Sequence, residues 1–361
     1  MIGTYNYLLY TNDTAFLAQN WDQYQYAMQY VYGKVLQPLG LLNVTGLRDW
    51  ARQATGGNSS EPNMILYRTL ITGADLAIWS GNASLASTYS SRATALAANI
   101  NAHLYDSSYG AFVDNTTTNL HPQDANSMAL LFGVVSNTSS IAQSISTRLT
   151  DNWRALGAEA PELPNNISPF ISSFEIQGHL VVGQTARALE LIRRSWGWYL
   201  NHPNGTASTV IEGYLTNGSF AYRNYRGYDY DAAYVSHAHG WSAGPTSALT
   251  NYILGLEVTG RVGSTWKLAP QFGDLTSVEG GFVTSLGKFQ ASWQVLGGGR
   301  EYELEWSVPE GTVGVVTLPA LPIGGVGRVA WNGKYWGHVK GGGMRVQCGG
   351  GKHDVVVKHG Q

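Results

Sequence analysis

The sequence predicts a mainly α fold: an incomplete (α/α)6 toroid of helical hairpins, followed by a small antiparallel β-sandwich. Three observations predict it. Apolar residues recur at helical spacing through about the first 258 positions. The connections between these stretches alternate between short and long. Beyond residue 258 the apolar period falls to two and glycine becomes dense. Residues 1–258 are therefore expected to form the helical-hairpin domain. Residues 259–361 are expected to form the β-domain, ending in a Gly-rich tail.

After a fragment at residues 4–10, the run Asn12-Asp13-Thr14 offers a cap, and Trp21, Tyr24, Met28 and Val31 stripe a first full helix. Pro62 opens a second, through Leu66, Leu70 and Leu76 to Trp79, ending at Gly81. Leu85, Tyr89, Leu96 and Ile100 mark a third. Residues 124–134, 141–153 and 168–182 read as the next three, the last closed by Gly183. Leu189, Ile192, Trp196 and Tyr199 stripe a seventh, and Pro245 opens an eighth that runs to Leu256. Twelve helices would close six hairpins, so the ring is expected to fall short by one or two. The long connections, residues 36–61, 106–120 and 201–239, should gather at one end and carry function. In the β-domain, residues 289–295, 301–308, 312–318 and 354–358 alternate as strands. Gly341 to Gly343 and Gly349 to Gly351 read as weak turns in a poorly ordered tail.

Composition narrows the function. Charged residues make up 13% of the chain, about half the usual share, and the net charge is −2. No basic field exists for nucleic acid or for an anionic membrane. No apolar run reaches the length of a membrane span. No leader peptide is visible at the start. The 12 Trp and 21 Tyr give an excess of flat rings, whose faces suit the C–H face of a sugar as well as they suit a core. One cysteine, Cys348, excludes a disulfide within the chain. Against the reducing compartment this suggests, Asn12, Asn43, Asn58, Asn82, Asn115, Asn137, Asn166, Asn204 and Asn217 each begin Asn-X-Ser/Thr. N-linked glycans and an extracellular location account for both facts. No phosphate-binding loop, dinucleotide fingerprint, zinc-protease helix or nucleophile elbow occurs, so neither a cofactor nor a metal is expected.

Hydrolysis of a glycoside needs two carboxyl groups flanking the bond. Three long-loop stretches place acids or histidines beside aromatics. In Arg48-Asp49-Trp50, a charge pair could hold hydroxyls while the indole stacks, or the three could simply anchor a loop. Glu212, after an apolar step and before Gly213, could deprotonate water, or be one more solvated acid. His237, His239 and Trp241 precede Pro245. The i, i+2 spacing of the histidines is a weak metal signal, and bonds to sugar hydroxyls or to Glu212 fit better than ligation. The same run could serve only as a helix entry. Residues 222–231 mix aromatics and polars in the manner of a substrate rim, or of a glycan-covered loop. Glu175 and Asp124 could face the cavity, with helix capping the simpler role for Asp124.

These stretches resemble the α-L-rhamnosidase family of inverting glycoside hydrolases, in particular its fungal-type members. The resemblance rests on residues 4–10, on 40–46 running into Arg48-Asp49-Trp50, and on 63–70. It continues through 121–127, 188–193 with Trp196-Gly197, and the run ending in Gly240-Trp241-Ser242-Ala243-Gly244-Pro245. It implies that Glu212 is the general base, although Val210-Ile211 stands where the family carries an aromatic. It implies that Asp49 and Trp50 meet the rhamnose, and that His237 or His239 touches the sugar. The expected partner is a rhamnose-containing glycoside or polysaccharide. The family's general acid lies upstream of the matched region, so this chain alone is expected to lack it and to be impaired. Two other classes compete. A glucoamylase-like or unsaturated-glucuronyl hydrolase would need a second cavity carboxylate, Glu175 or Asp49. A non-catalytic glycan binder would need only the tryptophans.

Overall fold

The computed structural model describes residues 1–46, 49–53, 56–223 and 227–360. Two compact units emerge: Met1–Tyr5 with Ala15–Pro245, and Asn6–Thr14 with Thr246–Gln361. The chain opens with α1 (Ile2–Thr11) and α2 (Thr14–Tyr32), then the two-residue strands β1 (Val35–Leu36) and β2 (Leu41–Leu42). Helices α3 (Ser60–Trp79) and α4 (Ala83–Leu104) follow, then β3 (Tyr105–Asp106) and β4 (Ala111–Phe112). Next come α5 (Gln123–Phe132), α6 (Ser140–Leu149), β5 (Trp153–Arg154) and β6 (Gly157–Ala158). Strand β7 (Asn166–Ile167) precedes α7 (Pro169–Val181). Helix α8 (Thr185–Ile192) passes through a π-helical turn at Arg193–Gly197 into α9 (Trp198–Leu200). Strand β8 (Tyr214–Leu215) returns to pair with β7.

Two kinds of helix alternate. Helices α3, α5 and α7 are buried on most sides; α5, for instance, keeps Gln123 through Leu130 inside without a break. They form an inner row in which α5 packs on both α3 and α7. Helices α4 and α6 bury one stripe only. In α4 it runs Ala86, Tyr89, Ala93, Leu96, Ile100 and Leu104 at steps of three and four, the mark of a helix with a wet outer face. Short connections join each inner helix to its outer partner. At Gly133, after α5, the chain turns through the left-handed region. Every long connection from an outer helix to the next inner one carries a small β-ladder. The alternation of loop lengths in the sequence is this arrangement.

The ladders are fastened by a repeated device. The Asn63 side-chain amide accepts from Leu42 N at 2.8 Å and donates to Leu42 O at 3.1 Å and Ser59 O at 2.7 Å. Asn126 does the same in the next hairpin, accepting from Phe112 N at 2.8 Å and donating to Phe112 O at 2.9 Å and Pro122 O at 2.8 Å. Each asparagine sits at the fourth position of an inner helix. It satisfies both backbone groups of the last ladder residue, which is buried away from water. From the outer row, Asn99 donates to Gly40 O and Ser144 to Gly110 O, holding the turn of each ladder.

The second unit includes α10 (Gly244–Ala248) from Thr246 onward and the π-helical turn Leu249–Leu254. Its strands are β9 (Leu256–Val258), β10 (Thr265–Leu268), β11 (Ser277–Thr284), β12 (Gly287–Leu296), β13 (Glu301–Leu318), β14 (Gly327–Trp331), β15 (Lys334–Val339) and β16 (Met344–His359). They pair in the order β11-β12-β13-β16-β14-β15, antiparallel throughout, with β9 antiparallel to β10 and β10 parallel to the far half of β13. Residues 301–308 and 312–318, read separately from the sequence, are one strand with a register shift between Val308 and Val313. One face buries Phe289, Ala291, Trp293, Tyr302, Leu304, Trp306, Val355 and Val357.

The expected disorder of the tail is corrected. Gly349 to Gly351 lie inside β16, opposite the β13 bulge. A Cβ on Gly350 would stand 2.0 Å from Pro309 O, so the bulged strand approaches too closely for any side chain there. The glycines serve strand pairing, and only Gly341 to Gly343 lead into a turn.

Substituting Asn126→Ala leaves Phe112 N–H and C=O without partners in a dry core. The expected loss is about 2–4 kcal/mol of stability, read as a lower urea midpoint at unchanged slope. Asn82→Ala, which removes an exposed helix cap bonded to Leu85 N, should cost only about 1 kcal/mol.

Candidate functional site

The long connections of the first unit bring two groups of side chains together. The first surrounds Arg52, whose side chain is fully buried. Its Nη1 lies 3.0 Å from Asp124 Oδ2, and its Nη2 bonds Asp114 Oδ1. Trp50 Nε1 donates to the same Asp124 Oδ2 at 3.1 Å. Asp124 stands in the first turn of α5, where its Oδ1 accepts from Ala125 N at 2.6 Å. It does not cap the helix. The opening N–H groups of α5 are taken by Glu162, which accepts from Gln123 N at 2.9 Å and Asp124 N at 3.0 Å.

Five carboxyls crowd this one guanidinium, and their protonation follows. Burial pulls Arg52 down, but the charges of Asp124, Glu162 and Asp114 outweigh it and push the guanidinium up. Burial, reinforced by the Asp124 charge, pushes Glu162 up to about 8. Burial, then the charges of Asp49 and Asp124, hold Glu61 well above the usual carboxylate range. Asp114 is raised by burial against the pull of Arg52. Asp49 still reaches solvent. It too is raised, first by the protein packed around it and also by the Asp124 charge, and it shares a hydrogen bond with Glu61.

The second group surrounds Glu212, which is 2% exposed. Its backbone is pinned by Glu212 N to Ser236 O at 2.8 Å, and nearby His239 N bonds Val210 O at 2.9 Å. The Tyr228 hydroxyl donates to both carboxylate oxygens, at 2.9 and 3.0 Å, and Ser236 N donates to Oε2 at 3.3 Å. Arg223 Nη1 lies 3.7 Å from Oε1 and His239 Nδ1 4.0 Å from Oε2. Those contacts are electrostatic rather than hydrogen bonds. Burial, and then the bond to Glu212, raise the Tyr228 phenol.

One apolar cluster joins the two groups: Trp50 and Ala51 pack with Ile167, Ile171, Tyr199, Ile211, Tyr214, Tyr222 and Val235, and Tyr228 lies against it. Trp50 and Ile211, the chain neighbours of Asp49 and Glu212, belong to this same cluster. Arg48 lies outside the described residues. The two histidines separate: His237 bonds the Tyr199 hydroxyl at 2.9 Å through Nδ1, whereas His239 turns to Glu212. Trp241 is 42% exposed and stacks on Phe170 with ring centres 4.3 Å apart, while His239 meets its edge at 4.6 Å. Glu175 is fully buried and held by Trp153 Nε1 and Gln123 Nε2, both at 2.6 Å. Sequence reasoning did not single out Arg52, Glu61, Asp114 or Glu162. Tyr228 was present only within the aromatic-polar stretch 222–231. No group of His, Cys, Asp and Glu among the described residues could hold a metal ion, and no described helix is long and apolar enough to cross a membrane.

The buried acids set a pH dependence. Glu162 titrates at about 8 when folded and near 4.3 when unfolded, so the native state holds the extra proton between those values. Its contribution to stability is complete below about pH 4 and is lost as pH rises toward 8. Thermal midpoints should fall by several degrees from pH 5 to pH 8.5, and Glu162→Gln should flatten that slope. A midpoint that rises across the window refutes the protonation pattern.

The sequence of residues 1–159 matches the bacterial α-L-rhamnosidase six-hairpin glycosidase domain, and residues 261–329 match the bacterial α-L-rhamnosidase C-terminal domain. No curated protein matches the chain. Among solved structures, a rhamnosidase of Bacillus sp. GL1 aligns over 87% of this chain at 28% identity and a TM-score of 0.71. The α-L-rhamnosidase of Streptomyces avermitilis, solved with L-rhamnose, shares the fold over 97% of the chain at 17% identity and a TM-score of 0.72. That of Aspergillus terreus shares it over 98% at 20% identity and a TM-score of 0.70. The chain spans only 32%, 32% and 38% of those three proteins. With its inner and outer rows of helices, its C-terminal antiparallel sheet and sequence matches in both parts, the chain belongs to the α-L-rhamnosidase family.

Proposed function

We propose that this chain carries the sugar pocket and the water-activating base of a glycoside hydrolase that removes terminal α-L-rhamnose with inversion. One observation carries the reading. The Glu212 carboxylate is held by directed donors beside the same aromatic cluster that holds Trp50, although the two residues are 162 positions apart. In this reading Glu212 takes the proton from the attacking water. Asp49 and Trp50 meet the rhamnose, Arg48 extends that contact, and His239 approaches the sugar beside Glu212. His237 orients the Tyr199 wall. Trp241, exposed on its Phe170 support, faces whatever the rhamnose is attached to. The placement with fungal-type members rests on the run ending in Gly240–Pro245.

A second reading draws on Asp49. The other hairpin hydrolases considered would need a further cavity carboxylate, and Glu175, fully buried and held by Trp153 and Gln123, is not free to serve. Asp49 reaches solvent, and burial with the Asp49 and Asp124 charges pushes the neighbouring Glu61 well above the usual carboxylate range. This pair could deliver a proton to a leaving oxygen from within the chain.

Five of the Asn-X-Ser/Thr asparagines, Asn12, Asn82, Asn137, Asn204 and Asn217, are exposed. We take them as the glycan carriers of a secreted protein. Asn166 is excluded: it is 1% exposed, donates to Pro164 O and accepts from Arg223 N. Endoglycosidase treatment of the protein from a eukaryotic host should increase its gel mobility, and peptide mapping should find Asn166 bare.

The leaving group separates the catalytic readings. p-Nitrophenolate departs without a proton, so p-nitrophenyl α-L-rhamnoside tests the base alone. The chain should release p-nitrophenol, and Glu212→Gln should lower kcat about 10²–10⁴-fold. If it also cleaves methyl α-L-rhamnoside and Asp49→Asn abolishes only that activity, the proton comes from Asp49. Turnover of glucosides or uronides but not rhamnosides would sink the assignment.

A further inference from the structure

We propose that Tyr228 is a positioning residue for Glu212, holding its carboxylate in place for Ser236 N to orient, and that Arg223 holds Tyr228 in that pose. The inference rests on Glu212 acting as the base. A glutamate carboxylate turns almost freely about its last torsion. A base must instead present one lone pair to one water position. Backbone bonds fix where Glu212 begins but do not fix that torsion. The Tyr228 hydroxyl, 2.9 and 3.0 Å from the two oxygens, holds the carboxylate end in place, and Ser236 N, bonding one oxygen alone at 3.3 Å, sets its rotation. Ser236 N then favours Oε2 as its acceptor, leaving Oε1 the less encumbered oxygen.

The support of Tyr228 is itself constructed. The Arg223 guanidinium lies over the Tyr228 ring, 4.7 Å from its centre. Its Nε is buried without a hydrogen-bond partner. Arg223, Asp229 and Tyr230 all adopt left-handed backbone conformations, with φ of 59°, 50° and 62°. Such conformations are uncommon for side chains of this size and gather where a structure over-determines a local pose. Tyr230 N closes the loop on Arg223 O at 3.2 Å, and Arg223 N is tied to Asn166 Oδ1 at 3.1 Å. Gly227 completes the packing: a Cβ there would lie 2.5 Å from Arg223 Nε and 2.8 Å from its Cβ. Tyr234 also stacks on Tyr228, with ring centres 5.9 Å apart. A partly exposed phenol is thus held by two neighbours with its hydroxyl on the base.

A double-mutant cycle on p-nitrophenyl α-L-rhamnoside tests this. Tyr228→Phe keeps the ring and removes the hydroxyl. We expect kcat to fall about tenfold with KM within twofold of wild type, and Gly227→Ala to fall in the same direction by displacing Arg223. In the Glu212→Gln background Tyr228→Phe should have no further effect, because the group it positions is gone. Losses that multiply, or a fully active Tyr228→Phe, overturn the positioning role while leaving Glu212 as base. A fully active Glu212→Gln overturns the base assignment and this inference with it. Carboxyl-13C glutamate NMR reads the same contact without turnover. The Glu212 resonance, assigned by its loss in Glu212→Gln, should be sharp in wild type and broadened or split in Tyr228→Phe. An unchanged line refutes the clasp.

Discussion

Burial of the Arg52 guanidinium between Asp114 and Asp124 is the interaction on which the loop end of the helical unit depends. Removing charges from water is expensive, and their mutual attraction repays it only when geometry is good and the remaining lone pairs are satisfied. Here the geometry is good on both terminal nitrogens, while Arg52 Nε stays buried without a partner. Each terminal nitrogen meets its own carboxylate, Asp124 also receives Trp50 Nε1 and Ala125 N, and Glu162 caps the helix on which Asp124 stands. Burial, and then the neighbouring acid charges, push Glu162 and Glu61 up, so that protons rather than further cations offset the excess of acids. The result links three stretches distant in sequence: the loop with Trp50, the strand-to-helix connection at Asp114, and the start of α5. An apolar substitute could bury as much area, but it could not direct the Trp50 indole.

The rest of the unit explains why such a cluster can form. Asn63 and Asn126 tie each ladder to the start of an inner helix, while Asn99 and Ser144 tie its turn from the outer row. Each hairpin therefore delivers its long connection to the same end. Glu61 and Asp124 occupy equivalent second positions of α3 and α5. A repeated backbone device thus places non-identical side chains at equivalent points. Repeated hairpins can in this way present an asymmetric set of side chains at one end.

Much of this was legible in the sequence, for stated reasons. Helical periodicity is a local signal, so α2 to α8 were readable from stripes such as Ala86 to Leu104. Two-residue ladders have no periodicity, and none was foreseen. Nor were the π-helical turns, although one of them carries Trp196, whose Nε1 reaches Ser242 O at 2.7 Å. The glycines at 349–351 were read as turns because glycine more often serves turns. Their need is set by Pro309 some forty residues away, which a local reading cannot see. Asp49, Trp50 and Glu212 stood out as acids beside aromatics in long loops. Arg52 did not, because a buried arginine looks like any other until its partners, 62 and 72 positions away, are known.

Two glutamates of the helical unit show how environment separates structure from chemistry when burial does not. Glu175 and Glu212 are both nearly inaccessible. Glu175 accepts from Trp153 and Gln123, and His179 stands 3.3 Å away with its other nitrogen bonded to the Ser146 hydroxyl. Serine, histidine and glutamate in that order have the connectivity of a nucleophile and its base. All three are sealed from solvent, however, and Arg187 also occupies the Ser146 oxygen, so no substrate can reach them. They join α6, α7 and, through Gln123, α5. The neighbours of Glu212 are different in kind. Tyr228, Arg223, His239 and Trp241 all retain some exposure, and the cationic groups stop at 3.7 and 4.0 Å instead of closing into bonds. A carboxylate whose partners stand slightly apart, on loops that reach solvent, can exchange one of them for water. One enclosed by short bonds, as Glu175 is by those from Trp153 and Gln123, cannot.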